Sequence, residues 1–186
     1  QKKKTRNIKM LMTEKFVTDR LIIRKPIPDD AREVFEKYAQ SNEVTKYLTW
    51  SPHQNINVTM GFMNWCISQW ENGECFPYTI CLRESKEIIG MLDTRIDGCK
   101  ADFGYVLAKE YWKKGFMAEA LKPLINELFK KENIYRVWAV CDVENYGSKR
   151  VMEKVGMSYE GILKKWLLHP NVSKEPRDCF VYSIIK

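Results

Sequence analysis

Histidine is scarce in this chain: His53 and His169 are the only two among 186 residues. Neither stands beside a cysteine pair, so a transition-metal site lacks its usual ligands and no metal is expected. The six cysteines (Cys66, Cys75, Cys81, Cys99, Cys141 and Cys179) never fall two residues apart, and several sit in apolar patterns where a small buried thiol fits. That usage points to a reducing, cytoplasmic setting. Long apolar runs are missing too. Apolar stretches such as residues 21–23 and 88–92 fall far short of the roughly 18 to 20 residues a membrane-spanning helix needs. The first nine residues are basic and polar, without the apolar run of a secretory signal. Residues 1–12 therefore read as a basic disordered tail. No Gly-x-Gly pair occurs, and no glycine precedes Lys and Ser or Thr, which excludes a dinucleotide fingerprint and a P-loop.

What is present suffices for one domain, residues 13–186, with 45% hydrophobic and 30% charged residues. The formal charge of +7 fits either a nucleic-acid partner, through release of phosphate counterions, or a phosphorylated cofactor. Lys2, Lys3, Lys4 and Arg6 lie in the tail with no aromatic residues interleaved, which ranks nucleic acid second.

Periodicity predicts a strand over 20–27, a helix from Asp29 and Asp30 to about Gln40, and an amphipathic helix over 56–70 ending before Gly73. A hairpin of strands 78–83 and 87–94 follows, then a strand over 102–108. A helix over 115–131 leads to a strand over 134–143, a short helix over 148–155 closed by Gly156, and strands 158–168 and 177–185. Early local pairing, a strand–helix–strand unit and a final pair imply an α/β (α+β) class, one mixed sheet flanked by helices.

The segment Trp112, Lys113, Lys114, Gly115, Phe116, Met117, Ala118, Glu119 carries chemistry because it joins a strand, Tyr105, Val106, Leu107, to a helix start. Unpaired N–H groups and the positive end of the helix dipole receive phosphate there, and Gly115 has no side chain to obstruct it. Gly115 easing a turn beside two solvated lysines explains the segment equally well.

The stretch from Phe103 to Leu121 resembles the coenzyme A loop of GNAT acetyltransferases of the RimJ/RimL type. The resemblance extends to Thr18–Arg24, to Gly104 and Tyr105, to Asn145 and Ser148 as Asn-x-x-Ser, to Val151–Met157, to Tyr159, Glu160 and Gly161, and to Arg177, Asp178, Tyr182 and Ser183. It covers nearly everything after the tail. Lys113 stands where the family often has glycine and Met117 where it often has a small residue, so a less open loop is expected. Pro123 falls inside the predicted helix, where it removes a hydrogen bond and kinks.

The resemblance implies a GNAT-like, mostly antiparallel mixed sheet and direct transfer of acetyl from acetyl-CoA (coenzyme A) to a primary amine in a ternary complex. The acceptor is a protein N-terminus or a small molecule. It implies cofactor contacts from Tyr105, Val106, Leu107, Lys113, Lys114, Gly115, Phe116, Met117, Ala118 and Asn145, on a strand that splays from the next. Ser148 is implied as the catalytic hydroxyl that stabilises the departing thiolate. Asn145 and Ser148 could each instead cap the following helix.

No base transfers from the family, because the stretch after Glu160 and Gly161 reads Lys164, Lys165, Trp166, Leu167. Asp93, Asp102 and Asp178 are candidates on strands. Acceptor contacts fall to residues 47–56 and 73–78, with Trp50, Phe76 and Tyr78, aromatics that serve equally as core. A coenzyme A-binding sensor without turnover is the alternative reading, and a basic nucleic-acid-binding protein the weaker one. Oligomeric state stays open.

Overall fold

The computed structural model describes residues 12–73 and 75–186. Apart from Met12, which packs in the core, the tail expected over residues 1–12 lies outside the described residues. Among the described residues no helix is long and apolar enough to cross a membrane.

Leu21 and Ile23 are fully buried while Ile22 and Arg24 are half-buried, the two-residue period of a strand with one face in the core. They form β2 (Leu21–Arg24), which pairs antiparallel with a short β1 (Lys15–Val17) that the sequence pattern does not announce. Asp30 starts α1 (Asp30–Val34). It is buried and held by Arg24, through contacts of 2.6 and 2.8 Å, and by the Thr79 hydroxyl at 3.0 Å. The helix predicted to reach Gln40 continues as a π-helical turn over Phe35–Ala39. A short α2 (Asn42–Thr45), also unannounced, follows. Then comes α3 (Ile56–Asn72), whose first N–H groups at Asn57 and Val58 are accepted by the Asn55 side chain.

Strands β3 (Cys75–Leu82), β4 (Ile88–Asp97) and β5 (Lys100–Leu107) form an antiparallel meander, and α4 (Phe116–Lys130) crosses over to β6 (Arg136–Asp142). Helix α5 (Tyr146–Lys154) precedes β7 (Ser158–Leu167) and β8 (Arg177–Ile185). Helix α4 runs through Pro123 without ending. The eight strands order as β1-β2-β3-β4-β5-β6-β8-β7, so β8 inserts between β6 and β7.

Helix α4 buries Leu121, Leu124 and Leu128 completely against one face of the sheet, with Leu92, Phe103 and Val137. Each such leucine contributes about 1.5–3 kcal/mol of transfer free energy. The opposite face, with Met91 and Cys81, carries Val34 and Tyr38 of the first helical segment and Met63 and Cys66 of α3.

One irregularity in the sheet creates the site. β5 pairs with β4 along its whole length, from Lys100↔Asp97 to Leu107↔Gly90, but with β6 only at Lys100↔Arg136, Ala101↔Val137 and Asp102↔Trp138. On its other edge β6 pairs with β8 along its whole length, from Arg136↔Ile185 to Asp142↔Cys179. Strands β5 and β6 therefore part after Asp102, and residues 103–107 of β5 have no strand neighbour on that side. Such an edge leaves backbone donors and acceptors to be met by something other than the sheet.

Candidate active site

Two cavities open on this split. The larger, about 810 Å³, is lined by Tyr105, Val106 and Leu107 of β5, by Gly115, Phe116, Met117 and Ala118 at the start of α4, by Lys113, and by Asn145, Gly147 and Ser148 around the start of α5. The second, about 570 Å³, lies under α3 and the segment before it. Both are of a size that holds ligands. They share Tyr105, Val106, Asn145 and Ser148, with Tyr47 and Leu48 beside them, so the cavities meet where β5 leaves β6.

One end of the larger cavity lies against the start of α4. Gly115 precedes α4 with φ of 82°, and the first helical bond runs from the Glu119 N–H to the Gly115 oxygen at 3.1 Å. Helical geometry therefore offers no acceptor to the N–H groups of Phe116, Met117 and Ala118. A Cβ at position 115 would stand 3.2 Å from Lys154 Nζ and 3.7 Å from Arg20 Nη2, so two cations flank this helix start. Neither was singled out for this role in the sequence, because one comes from α5 and the other from β2's entry. Arg20 lies 4.1 Å from the Phe116 ring centroid and bonds Glu119 Oε2 through Nε at 2.7 Å. Glu119 also accepts from the Thr18 hydroxyl at 2.6 Å and the Arg20 N–H at 3.0 Å. Burial pushes the Glu119 carboxyl up, but these donors outweigh it and hold it below its ordinary value.

Lys113 takes φ of 60°, the left-handed conformation that glycine adopts with least strain, which accounts for the glycine common there in the resembling family. Of the predicted cofactor residues, Lys114 alone does not line the cavity. Its Nζ sits 5.6 Å from the Tyr111 ring centroid, and its carbonyl accepts from Arg20 at 3.3 Å.

At the junction, Asn145 does cap α5: its Oδ1 accepts from the Ser148 N–H at 3.1 Å, leaving the side-chain NH₂ as its remaining donor. Ser148 does not cap. It lies within the first turn of α5, and its Oγ is 2.6 Å from the Tyr105 hydroxyl, which also donates to the Ser148 carbonyl at 3.1 Å. Burial raises the Tyr105 pKa, so the phenol stays protonated at neutral pH. The start of α5 is fixed from below by fully buried Asp142, which accepts from Arg177 Nε at 2.6 Å and from the Glu144 N–H at 2.9 Å.

The smaller cavity is walled by aromatic rings. Trp50 and His53 lie 4.9 Å apart, His53 and Phe62 6.0 Å, and Phe62 and Trp65 5.9 Å, with Trp138 and Trp166 across from them. Trp50 is where the sequence places it. Phe76 and Tyr78 are not: both are buried in the α4-side core, edge-on to Trp70 at 5.2 and 5.0 Å. Strand alternation turns them away from the cleft. Asn171 in the β7–β8 loop donates to the Thr45 and Trp50 carbonyls at 2.8 Å each, tying that loop to the cleft wall. This contact over more than a hundred residues leaves no mark in the local sequence. Of the carboxylates, Asp93 and Asp102 line this cavity with Arg95, whereas Asp178 pairs with Lys164 at 2.8 Å away from both cavities.

A strand split, a helix start with unpaired N–H groups beside it and a second cavity at the same point form one continuous cleft. Residues 20–158 match the family model for the acetyltransferase (GNAT) domain; the chain belongs to this family and is an acetyl-CoA-dependent N-acetyltransferase. It is 31% identical to the uncharacterized N-acetyltransferase YnaD of Bacillus subtilis, over 92% of this chain and 96% of that one. Identity to the ribosomal protein uS5-alanine N-acetyltransferase of Escherichia coli is 26% over 83% of each. A GNAT-family acetyltransferase structure from Bacillus anthracis superposes with a TM-score of 0.80 at 28% identity, covering 92% of this chain and 98% of that one.

Proposed function

We propose that the chain acetylates a primary amine, an N-terminal α-amine or a small amine with an apolar body, by direct attack while acetyl-CoA and acceptor are bound together. The observation that carries this is the meeting of two cavities at Tyr105, Val106, Asn145 and Ser148. One cavity bears the phosphate-ready helix start and the other the aromatic walls, so both substrates reach one point without a covalent enzyme intermediate.

In this reading, Gly115, Phe116, Met117 and Ala118 receive the pyrophosphate through backbone N–H groups, with Lys113, Lys154 and Arg20 supplying charge. The free edge of Tyr105, Val106 and Leu107 and the amide of Asn145 hold the pantetheine arm. The Ser148 hydroxyl, hydrogen-bonded to Tyr105, stabilises the departing thiolate. The aromatic walls suit the apolar body of an amine, and the relative acting on the uS5 alanine terminus supports including α-amines.

Initial rates of thiol release measured against both substrates test the reading. Lines that intersect in double-reciprocal plots, with an alanyl peptide or 2-phenylethylamine as acceptor, are expected; parallel lines would mean a covalent intermediate and defeat direct attack. Acetyl-CoA binding without turnover on any amine would leave the sensor reading instead.

A further inference from the structure

The sequence offers Asp93, Asp102 and Asp178 as candidate strand carboxylates with no ground for choosing among them, whereas their surroundings differ sharply. Asp178 accepts from Lys164 Nζ at 2.8 Å and the Lys165 N–H at 2.9 Å, outside both cavities. Asp102 is engaged by Arg95 twice, through Nε at 2.9 Å and through Nη2. Asp93 receives one bond from Arg95, Nη1 to Oδ1 at 2.8 Å.

Asp93 pairs in register with Gly104, two residues past the last β5–β6 pair at Asp102 and one before Tyr105. A Cβ at 104 would stand 3.5 Å from each Asp93 oxygen, so the missing side chain leaves the space between this carboxylate and the strand split open. We infer that Asp93 is the catalytic proton acceptor for the incoming amine, an inference that rests on the acetyl transfer proposed above.

Two charged groups and two thiols face Asp93 among the described residues. Arg95 lies on its own strand, Asp102 on β5, the Cys75 thiol on β3 and the Cys66 thiol on α3. Burial raises the Asp93 pKa; Arg95 and a Gly104 backbone hydrogen bond oppose this and the Asp102 charge reinforces it, with the net direction upward. A carboxyl displaced toward neutrality takes a proton more readily than an ordinary one.

The protons balance as follows. The ammonium gives its first proton to an Asp93 oxygen, and the freed nitrogen forms the C–N bond to the acetyl carbon as the C–S bond breaks. The second nitrogen proton ends on the sulfur through the Ser148 hydroxyl, and Asp93 returns its proton to water.

Two measurements on the full chain decide the assignment. The first is the pH profile of kcat/KM for wild type and Asp93→Asn with 2-phenylethylamine and with an alanyl peptide. Wild type should hold a plateau from an acid limb upward. Asp93→Asn should lose about 100-fold at pH 7 with the alkylamine and regain rate about tenfold per pH unit, meeting wild type about two units higher, as the neutral amine becomes abundant. The peptide, with an amine near pKa 8, should show a smaller loss. Acetyl-CoA should stabilise both proteins equally. Because a raised carboxyl pKa means the ionised form destabilises the fold, Asp93→Asn should be at least as stable as wild type at pH 7. A merely structural aspartate would give the reverse.

The second is a carbon-13 titration of labelled aspartates with Asp93 assigned by the variant, which requires no acceptor. It should show titration above the ordinary value of about 3.9. A variant with the wild-type profile, or an Asp93 titrating at or below 3.9 as ordinary aspartate does, would overturn the assignment. A wild type that acetylates neither amine counts against the acceptor reading, and the titration then decides Asp93 alone.

Discussion

The hydroxyl of Tyr105 on β5 lies 2.6 Å from the hydroxyl of Ser148 on α5, joining the split strand to the helix that faces it across the cleft. Burial raises the Tyr105 pKa, so the phenol keeps its proton at neutral pH, and in the mechanism proposed above the Ser148 hydroxyl beside it serves the leaving sulfur. Ser148→Ala should lower kcat about 10–100-fold with little change in acetyl-CoA affinity. Tyr105→Phe should lower it less, through misplacement of the serine hydroxyl. In the double variant the penalties should fall short of their sum, since one removes what the other acts through. Additive penalties in steady-state kinetics would show that the two hydroxyls work separately.

Gly115→Glu should abolish the thermal stabilisation that acetyl-CoA gives the wild type. A side chain at φ of 82° is strained, costing about 1–2 kcal/mol. The new carboxylate would also lie among Lys154 and Arg20, occupying the cations in place of phosphate. A rise in the acetyl-CoA KM of at least about tenfold, or 1.4 kcal/mol, is expected with kcat at saturation less affected.

Gly90→Ala reaches the same strand from the other side. A Cβ at Gly90 would stand 2.3 Å from the Val106 oxygen, backbone against side chain, so β5 must shift where it lines both cavities. Denaturant unfolding should show a loss of about 1–3 kcal/mol, accompanied by weaker acetyl-CoA binding. Unchanged stability would mean that β5 can move freely at the split.

Asp142 ties the site to pH. Burial would raise its pKa, yet the Arg177 bond, the Glu144 N–H and nearby charge hold it below the usual carboxylate value. A depressed folded-state pKa contributes stability that is present above the unfolded value near 3.9 and lost as pH falls through the folded one. Asp142→Asn should therefore lower Tm at pH 7 and flatten its dependence on pH below about 4. A variant whose Tm falls with acid as steeply as wild type would place that sensitivity elsewhere.

The order of long elements was legible in the chain because helix and strand periods are local: α3, α4 and β8 fall within one or two residues of their expected spans. The Gly115 turn and the Asn145 cap were legible for the same reason, each depending on neighbours a few residues away. Short elements such as β1 and α2 were not, since three or four residues carry too little period to stand out.

Through local chemistry, the sequence by itself determined the long strands and helices of a mixed sheet and the glycine turn that opens α4. Only the tertiary structure decided that β5 would part from β6 after Asp102 while β8 paired along β6's opposite edge, that Tyr105 would meet Ser148, and that Arg20 and Lys154 would flank Gly115. It also turned Phe76 and Tyr78 into core and left Trp50 in the cleft. These outcomes depend on which strand edges pair and which faces are covered. Both are settled by competition among distant segments for the same hydrogen bonds and the same apolar surface, which no local pattern records.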